Sequence, residues 1–205
     1  VTYEAMADPS GSINTTSAGK TNFWTWATAL FGANLPVDSG LAGSSMPGAS
    51  NTPQPMKFDA AQGWFTAEGI PLTPYDDAGS KNYYPMMRIV VRDSGGKVLA
   101  TAPVVLPVSD EMDCGSCHAA DSNVAARPVD GWLRDPDPNR EFKLNVLRLH
   151  DERQLGTDLY TGALTKAGYD SRGLLVTAQG GHPILCAQCH ASNALPGTGY
   201  TGLEP

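Results

Sequence analysis

The chain has 205 residues, of which 41% are hydrophobic, and this length suits one medium domain or two small ones with a buried core. Its 21 acidic and 14 basic residues give a formal net charge of -7, which would repel phosphate backbones and argues against nucleic acid as a partner. No segment approaches the run of about 18 apolar residues that a membrane-spanning helix requires, so we expect no membrane span.

The first half of the chain, residues 1–110, predicts a β-rich module, and it contains neither cysteine nor histidine, the side chains that most often bind metals and cofactors. Apolar residues at helical spacing predict a short helix within residues 21–32. Residues 59–67 are expected to form one or two helical turns. Residues 83–92 and 98–108 are β-branched runs separated by a glycine-containing turn, a pattern typical of a β-hairpin.

The second half, residues 111–205, predicts a mostly helical and coil region. Helices are expected over residues 140–154 and 158–167, the latter ending at Gly168. A short strand is expected at residues 174–177. The high content of glycine (22) and proline (16) predicts long connections, so the expected fold class is α+β and loop-rich.

All four cysteines of the chain belong to two Cys-x-x-Cys-His motifs. The first motif contains Cys114, Cys117 and His118, and the second contains Cys186, Cys189 and His190. Two thiols at this spacing can reach the two vinyl groups of one porphyrin edge, and the adjacent histidine can bind the iron. A four-cysteine zinc site, a redox dithiol and a disulfide are the competing interpretations, and the histidine after each pair argues against them. The motifs therefore predict two covalently attached haem c groups.

Two further histidines, His150 and His182, are candidates for the distal iron ligands. Each haem lacks a second axial ligand once His118 and His190 are assigned, and the number of remaining histidines equals the number of open positions. His150 lies at the edge of an apolar helix face, whereas His182 follows two glycines and precedes a proline. Ordinary core or surface histidines are the alternative, with Met112 as a rival ligand. The spacing does not decide which haem each histidine serves.

Oxygen-bearing side chains occur at every second position around the start of the helix expected at residues 140–154. They are Asp135, Asp137, Asn139 and Glu141. The alternation resembles the start of a calcium loop, although the glycine and the distant glutamate of such a loop are missing. Helix N-capping with favourable charge at a helix start is the alternative interpretation.

Several stretches of the chain together resemble a segment of the large exported bacterial multihaem c-type cytochromes. These stretches are residues 12–17, 81–88, 108–114, 147–151 and 184–197. The resemblance implies an electron carrier in the periplasm or outside the cell, with redox proteins as partners. It also implies that this chain is part of a longer protein.

The leading hypothesis for the function is electron transfer through two low-spin haems with histidine on both sides of each iron. One form of it is a homo-oligomer or filament in which successive subunits form an extracellular conduit. The alternative is a dihaem peroxidase-like oxidoreductase, which requires one haem with an open distal position. The electron carrier is favoured over the enzyme because the number of histidines is sufficient to close both irons.

Overall fold

The computed structural model describes residues 1–108, 114–191 and 197–203. The chain divides into two compact units, Val1–Glu111 and Met112–Pro205. A small antiparallel sheet lies in the first unit and most helices lie in the second, so the predicted α+β class is confirmed. Within the described ranges, no helix is both long and apolar enough to cross a membrane.

The first unit is built around a four-stranded antiparallel sheet. Its elements are β1 (Thr2–Met6), α1 (Phe23–Phe31), β2 (Gln54–Pro55), β3 (Lys57–Asp59), β4 (Trp64–Thr66), β5 (Met86–Arg92) and β6 (Val98–Val105). The strand order is β2-β1-β5-β6, and β5 and β6 form the predicted hairpin. The edge strand β6 is largely exposed and contains Pro103, which lies opposite Arg88.

The core of the first unit lies on one face of this sheet. Tyr3 and Ala5 alternate along β1 on the buried face, and Met87 of β5 lies opposite Ala5 in the register. The Tyr3 hydroxyl donates a hydrogen bond of 2.6 Å to the carbonyl of Ser45, so the buried ring has its polar group satisfied. Burial of this small core fixes the hairpin against β1.

The expectation of helical turns at residues 59–67 is wrong. Strands β3 and β4 instead form a two-stranded hairpin, with the rings of Phe58 and Phe65 5.1 Å apart across it. An Asp59 carboxylate oxygen accepts hydrogen bonds from the N–H groups of Ala61 (2.9 Å) and Gln62 (3.1 Å). Aspartate thus stabilises a tight turn here in place of a helix start.

The second unit is helical, as expected. Its α-helices are α2 (Gly115–His118), α3 (Pro138–Gln154), α4 (Asp158–Ala167) and α5 (Leu174–Gln179), and two 3₁₀-helices cover Val124–Ala126 and Cys186–Gln188. Helices α3 and α4 match the predicted ones. The Thr157 side chain caps α4, accepting a hydrogen bond from the N–H of Tyr160, and Gly168 ends the helix with a left-handed φ of 72°.

The short strand predicted at residues 174–177 is wrong, because these residues belong to α5. The Asp151 carboxylate, which comes from α3, accepts hydrogen bonds of 2.9 Å from the N–H groups of Leu174 and Leu175. These two groups are free donors at the start of α5, and a carboxylate there favours the helix. A side chain from another element therefore decides the local conformation.

The core of the second unit brings α3, α4 and α5 together. Tyr160, Leu164 and Leu174 are buried, and Leu147, Tyr169 and Ile184 pack against them. Fully buried Asn145 of α3 accepts a hydrogen bond of 2.8 Å from the N–H of Leu133 and donates one of 3.0 Å to its carbonyl. This pair of bonds attaches the segment before α3 to the helix.

Candidate functional site

The two Cys-x-x-Cys-His motifs adopt the same backbone turn. In the first, the N–H of His118 donates a hydrogen bond of 2.9 Å to the carbonyl of Cys114. In the second, the N–H of His190 donates one of 2.9 Å to the carbonyl of Cys186. Each motif therefore presents two thiols and an imidazole from a single helical turn, although one turn is α-helical and the other is part of a 3₁₀-helix.

The four cysteines are all free thiols. Cys114, Cys117 and Cys186 are exposed, whereas Cys189 is half-buried. Burial raises the pKa of the Cys189 thiol, and the neighbouring Cys186 adds to this effect. The structure thus forms no disulfide between these thiols.

An apolar pocket in the second unit contains most of the second motif. Cys186, Cys189 and His190 line it, together with His150 of α3. The apolar lining consists of Val146, Leu147, Leu159, Leu174, Ile184, Leu185 and Leu203. A mostly apolar lining with few polar groups is typical of pockets that bind small molecules or cofactors.

The rings of His150 and His190 lie close together in the lining of this pocket. Their ring centroids are 6.4 Å apart and their planes are inclined by 80°. Metal ions bind histidine nitrogen at roughly 2 Å, so two imidazoles on opposite sides of one ion have centroids roughly 6 Å apart. The observed separation would therefore allow both histidines to ligate one metal ion.

The chemical state of His150 also suits a metal ligand. Its Nδ1 atom is buried and has no hydrogen-bond partner, and such an orphaned group costs free energy. Burial lowers the pKa of His150 and so favours the neutral imidazole. The negative charge of Asp151 opposes this effect, but its influence on the pKa is smaller. A neutral imidazole has the lone pair that a metal requires.

Two residues that the sequence analysis did not identify surround His150. The ring of Tyr160 packs against the His150 ring at a centroid distance of 5.2 Å, and its hydroxyl donates a hydrogen bond of 2.5 Å to the Asp151 carboxylate. Burial, followed by this hydrogen bond, raises the pKa of Tyr160, so the hydroxyl remains a donor. In the sequence, these contacts are indicated only by the acidic residue that directly follows His150.

His182 lies outside the lining of this pocket. It is exposed, and its ring packs edge-on against Tyr169 with a centroid distance of 5.6 Å. The backbone N–H of His182 donates a hydrogen bond of 3.2 Å to the carbonyl of Thr177. The structure thus brings one of the two candidate distal histidines to the second motif, and the role of His182 stays a prediction.

The surroundings of the first motif differ from those of the second. His118 Nδ1 is buried without a hydrogen-bond partner, and no aromatic or imidazole ring packs against His118 within residues 1–108, 114–191 and 197–203. The rival ligand Met112 lies outside these residues. In the part of the chain that the structure describes, His118 and His150 thus share a buried Nδ1 atom without a hydrogen-bond partner.

The four residues proposed for calcium have separate roles. Asp135 accepts a hydrogen bond of 3.0 Å from the N–H of Asp137 and pairs with Arg140 at 3.1 Å. Asp137 caps α3 through the N–H of Asn139, and Glu141 accepts a hydrogen bond of 3.0 Å from a backbone N–H after the first motif. In the part of the chain that the structure describes, no three His, Cys, Asp or Glu residues are arranged to hold a metal ion. The contacts are those of the capping alternative.

Comparison of the chain with protein-family models, with curated proteins and with solved structures found no match.

Proposed function

We propose that the chain is a dihaem c-type cytochrome that transfers electrons, with one haem c at each Cys-x-x-Cys-His motif. When bound, haem supplies one-electron redox chemistry at its iron. The observation that carries the proposal is the apolar pocket at the second motif, called the second pocket from here on, where Cys186 and Cys189 lie beside two neighbouring imidazoles, His150 and His190.

In this proposal, each residue of the pocket has a distinct task. Cys186 and Cys189 would hold the porphyrin by covalent bonds, and His190 and His150 would ligate the iron. Ligation by two histidines closes the iron to other ligands and keeps the reduction potential below that of a histidine–methionine pair. The apolar side chains of α3 and α4 exclude water, which suits electron transfer without substrate binding.

The first test is the haem content of the protein produced in a host that matures c-type cytochromes. We expect two haems per chain from the alkaline pyridine spectrum. Replacement of Cys114 and Cys117 by alanine should remove one haem, and replacement of Cys186 and Cys189 should remove the other. A protein that is folded but free of covalently bound haem would refute the proposal.

The second test examines the ligand opposite His190. The parent is the chain with Cys114→Ala and Cys117→Ala, so that only the second haem is present. We expect His150→Ala to convert its low-spin EPR signal to high-spin and to allow carbon monoxide binding after reduction. His182→Ala is the matched control and should leave the signal unchanged. A low-spin signal that survives in His150→Ala would refute the assignment of His150.

The environment of His118 favours a second candidate function, a dihaem peroxidase-like oxidoreductase. This enzyme needs one open distal position, and no ring packs against His118 in the described residues. Carbon monoxide binding by the reduced, unmodified protein separates the two functions. Rapid binding to one haem, together with hydrogen peroxide turnover, would favour the enzyme, whereas absence of binding favours the carrier.

Setting and assembly remain part of the proposal. The resemblance to exported multihaem cytochromes supports a site of action in the periplasm or outside the cell, redox proteins as partners, and membership of a longer chain. Assembly into a homo-oligomer or filament is a further expectation from the sequence. Sedimentation velocity of the haem-loaded protein tests it, and a monomer at high concentration would argue against the filament.

A further inference from the structure

Asp151 is a buried carboxylate that accepts hydrogen bonds from two residues lining the second pocket, Tyr160 and Leu174. It is only 6% exposed, and three neutral groups donate hydrogen bonds to it. They are the N–H groups of Leu174 and Leu175, both at 2.9 Å, and the hydroxyl of Tyr160 at 2.5 Å. Within the described residues, no lysine or arginine forms an ion pair with it. Its negative charge therefore has hydrogen-bond donors but no compensating cation.

Tyr160 connects this carboxylate to His150. Its hydroxyl is fixed by Asp151, and its ring packs against the His150 ring at 5.2 Å. Asp151 also follows His150 directly on α3, so both connections start from the same turn of helix. The His150 Nδ1 atom has no hydrogen bond of its own. The orientation of the His150 ring therefore depends on packing, and the Tyr160 ring is the nearer of the two rings that pack against it in the described residues, the other being that of His190.

We propose that Tyr160 positions His150 toward His190, and that the buried charge of Asp151 lowers the reduction potential of the second haem. This inference rests on the proposed function. An oxidised haem iron carries one more positive charge than a reduced one, so a nearby uncompensated carboxylate stabilises the oxidised form. Neither residue binds the iron, and both act through the surroundings of His150.

The test uses the chain that carries only the second haem, with Cys114 and Cys117 replaced by alanine. Asp151→Asn keeps the size of the side chain and removes its charge. We expect the reduction equilibrium constant to rise roughly tenfold, which is about 59 mV for one electron. The control is Asp170→Asn, which removes a half-buried carboxylate that, unlike Asp151, is paired with a cation, Arg172, and should leave the potential unchanged.

Tyr160→Phe separates positioning from charge. The variant keeps the ring but releases it from Asp151, so we expect altered or broadened low-spin EPR g values and a potential that does not rise. The inference is overturned if Asp151→Asn leaves the potential unchanged, or if Asp170→Asn raises it equally. An unchanged EPR spectrum in Tyr160→Phe would also overturn it, whether or not Asp151→Asn folds.

The same experiment distinguishes this inference from the proposed function. A parent protein that takes up no haem would refute the function itself. A parent with a low-spin haem whose potential ignores Asp151 would refute only the role of that carboxylate.

Discussion

Replacing Gly173 by alanine should strongly destabilise the second unit. Gly173 precedes α5 with φ of 120° and ψ of 176°, a conformation that is essentially restricted to glycine and costs other residues about 1–3 kcal/mol. An added Cβ would also lie 2.5–2.8 Å from the carboxylate atoms of Asp151. Displacing that buried carboxylate weakens its hydrogen bonds at a further cost of about 2–3 kcal/mol. The expected loss is roughly 3–6 kcal/mol, a large part of the stability of a small domain.

Urea denaturation followed by far-UV circular dichroism measures this loss, since most of the helices lie in the second unit. Gly156→Ala is the matched control, because Gly156 also has a positive φ, of 89°, but no atom lies within 4 Å of the added Cβ. The control should lose only the conformational contribution of about 1–3 kcal/mol. Equal losses in the two variants would show that contact with Asp151 contributes nothing.

Three further changes test the contacts of the second unit. Arg172→Gln should raise the pKa of Asp170 from about 2 toward its ordinary value of 3.8, as measured by carboxyl NMR titration. Because the pKa is depressed in the folded state, the stabilisation from this pair is present above about pH 3.8 and is lost as the pH falls toward 2. Asn145→Ala should cost roughly 2–4 kcal/mol in urea denaturation, since it leaves the N–H and carbonyl of Leu133 without partners. Thr157→Ala should cost about 1 kcal/mol, because it removes the N-cap of α4; an unchanged unfolding midpoint would contradict either of these last two expectations.

Elements whose signals are local were predictable from the sequence. Helix α4 begins after a capping threonine and ends at Gly168, and both signals lie next to the helix that they delimit. The hairpin of β5 and β6 is likewise encoded by two β-branched runs and the turn between them. In these cases, neighbouring residues are sufficient to select the conformation.

Elements that depend on distant side chains were not predictable. Helix α5 has β-branched residues typical of a strand, and it is helical because Asp151, more than 20 residues earlier, accepts hydrogen bonds from its first N–H groups. The turn between β3 and β4 was mistaken for a helix start because aspartate stabilises both. Local sequence cannot distinguish these outcomes.

In the candidate site, too, the local features were predictable from the sequence and the long-range contacts were not. The two motifs could be found by spacing alone, because each is a single turn of chain. The partnership of His150 with His190 could not, since 40 positions separate them and three packed helices bring them together. The roles of Asp151 and Tyr160 follow only from the tertiary contacts.

Pro103 in the edge strand β6 has a consequence for how copies of this chain can associate. Proline has no N–H, so it interrupts the row of donors that an exposed edge would otherwise offer to a strand of another molecule. Continuous β-sheet growth from one copy to the next is therefore disfavoured at this edge, despite its exposed apolar residues Val98 and Leu99. Ordered assembly of copies would then use a surface other than the β6 edge.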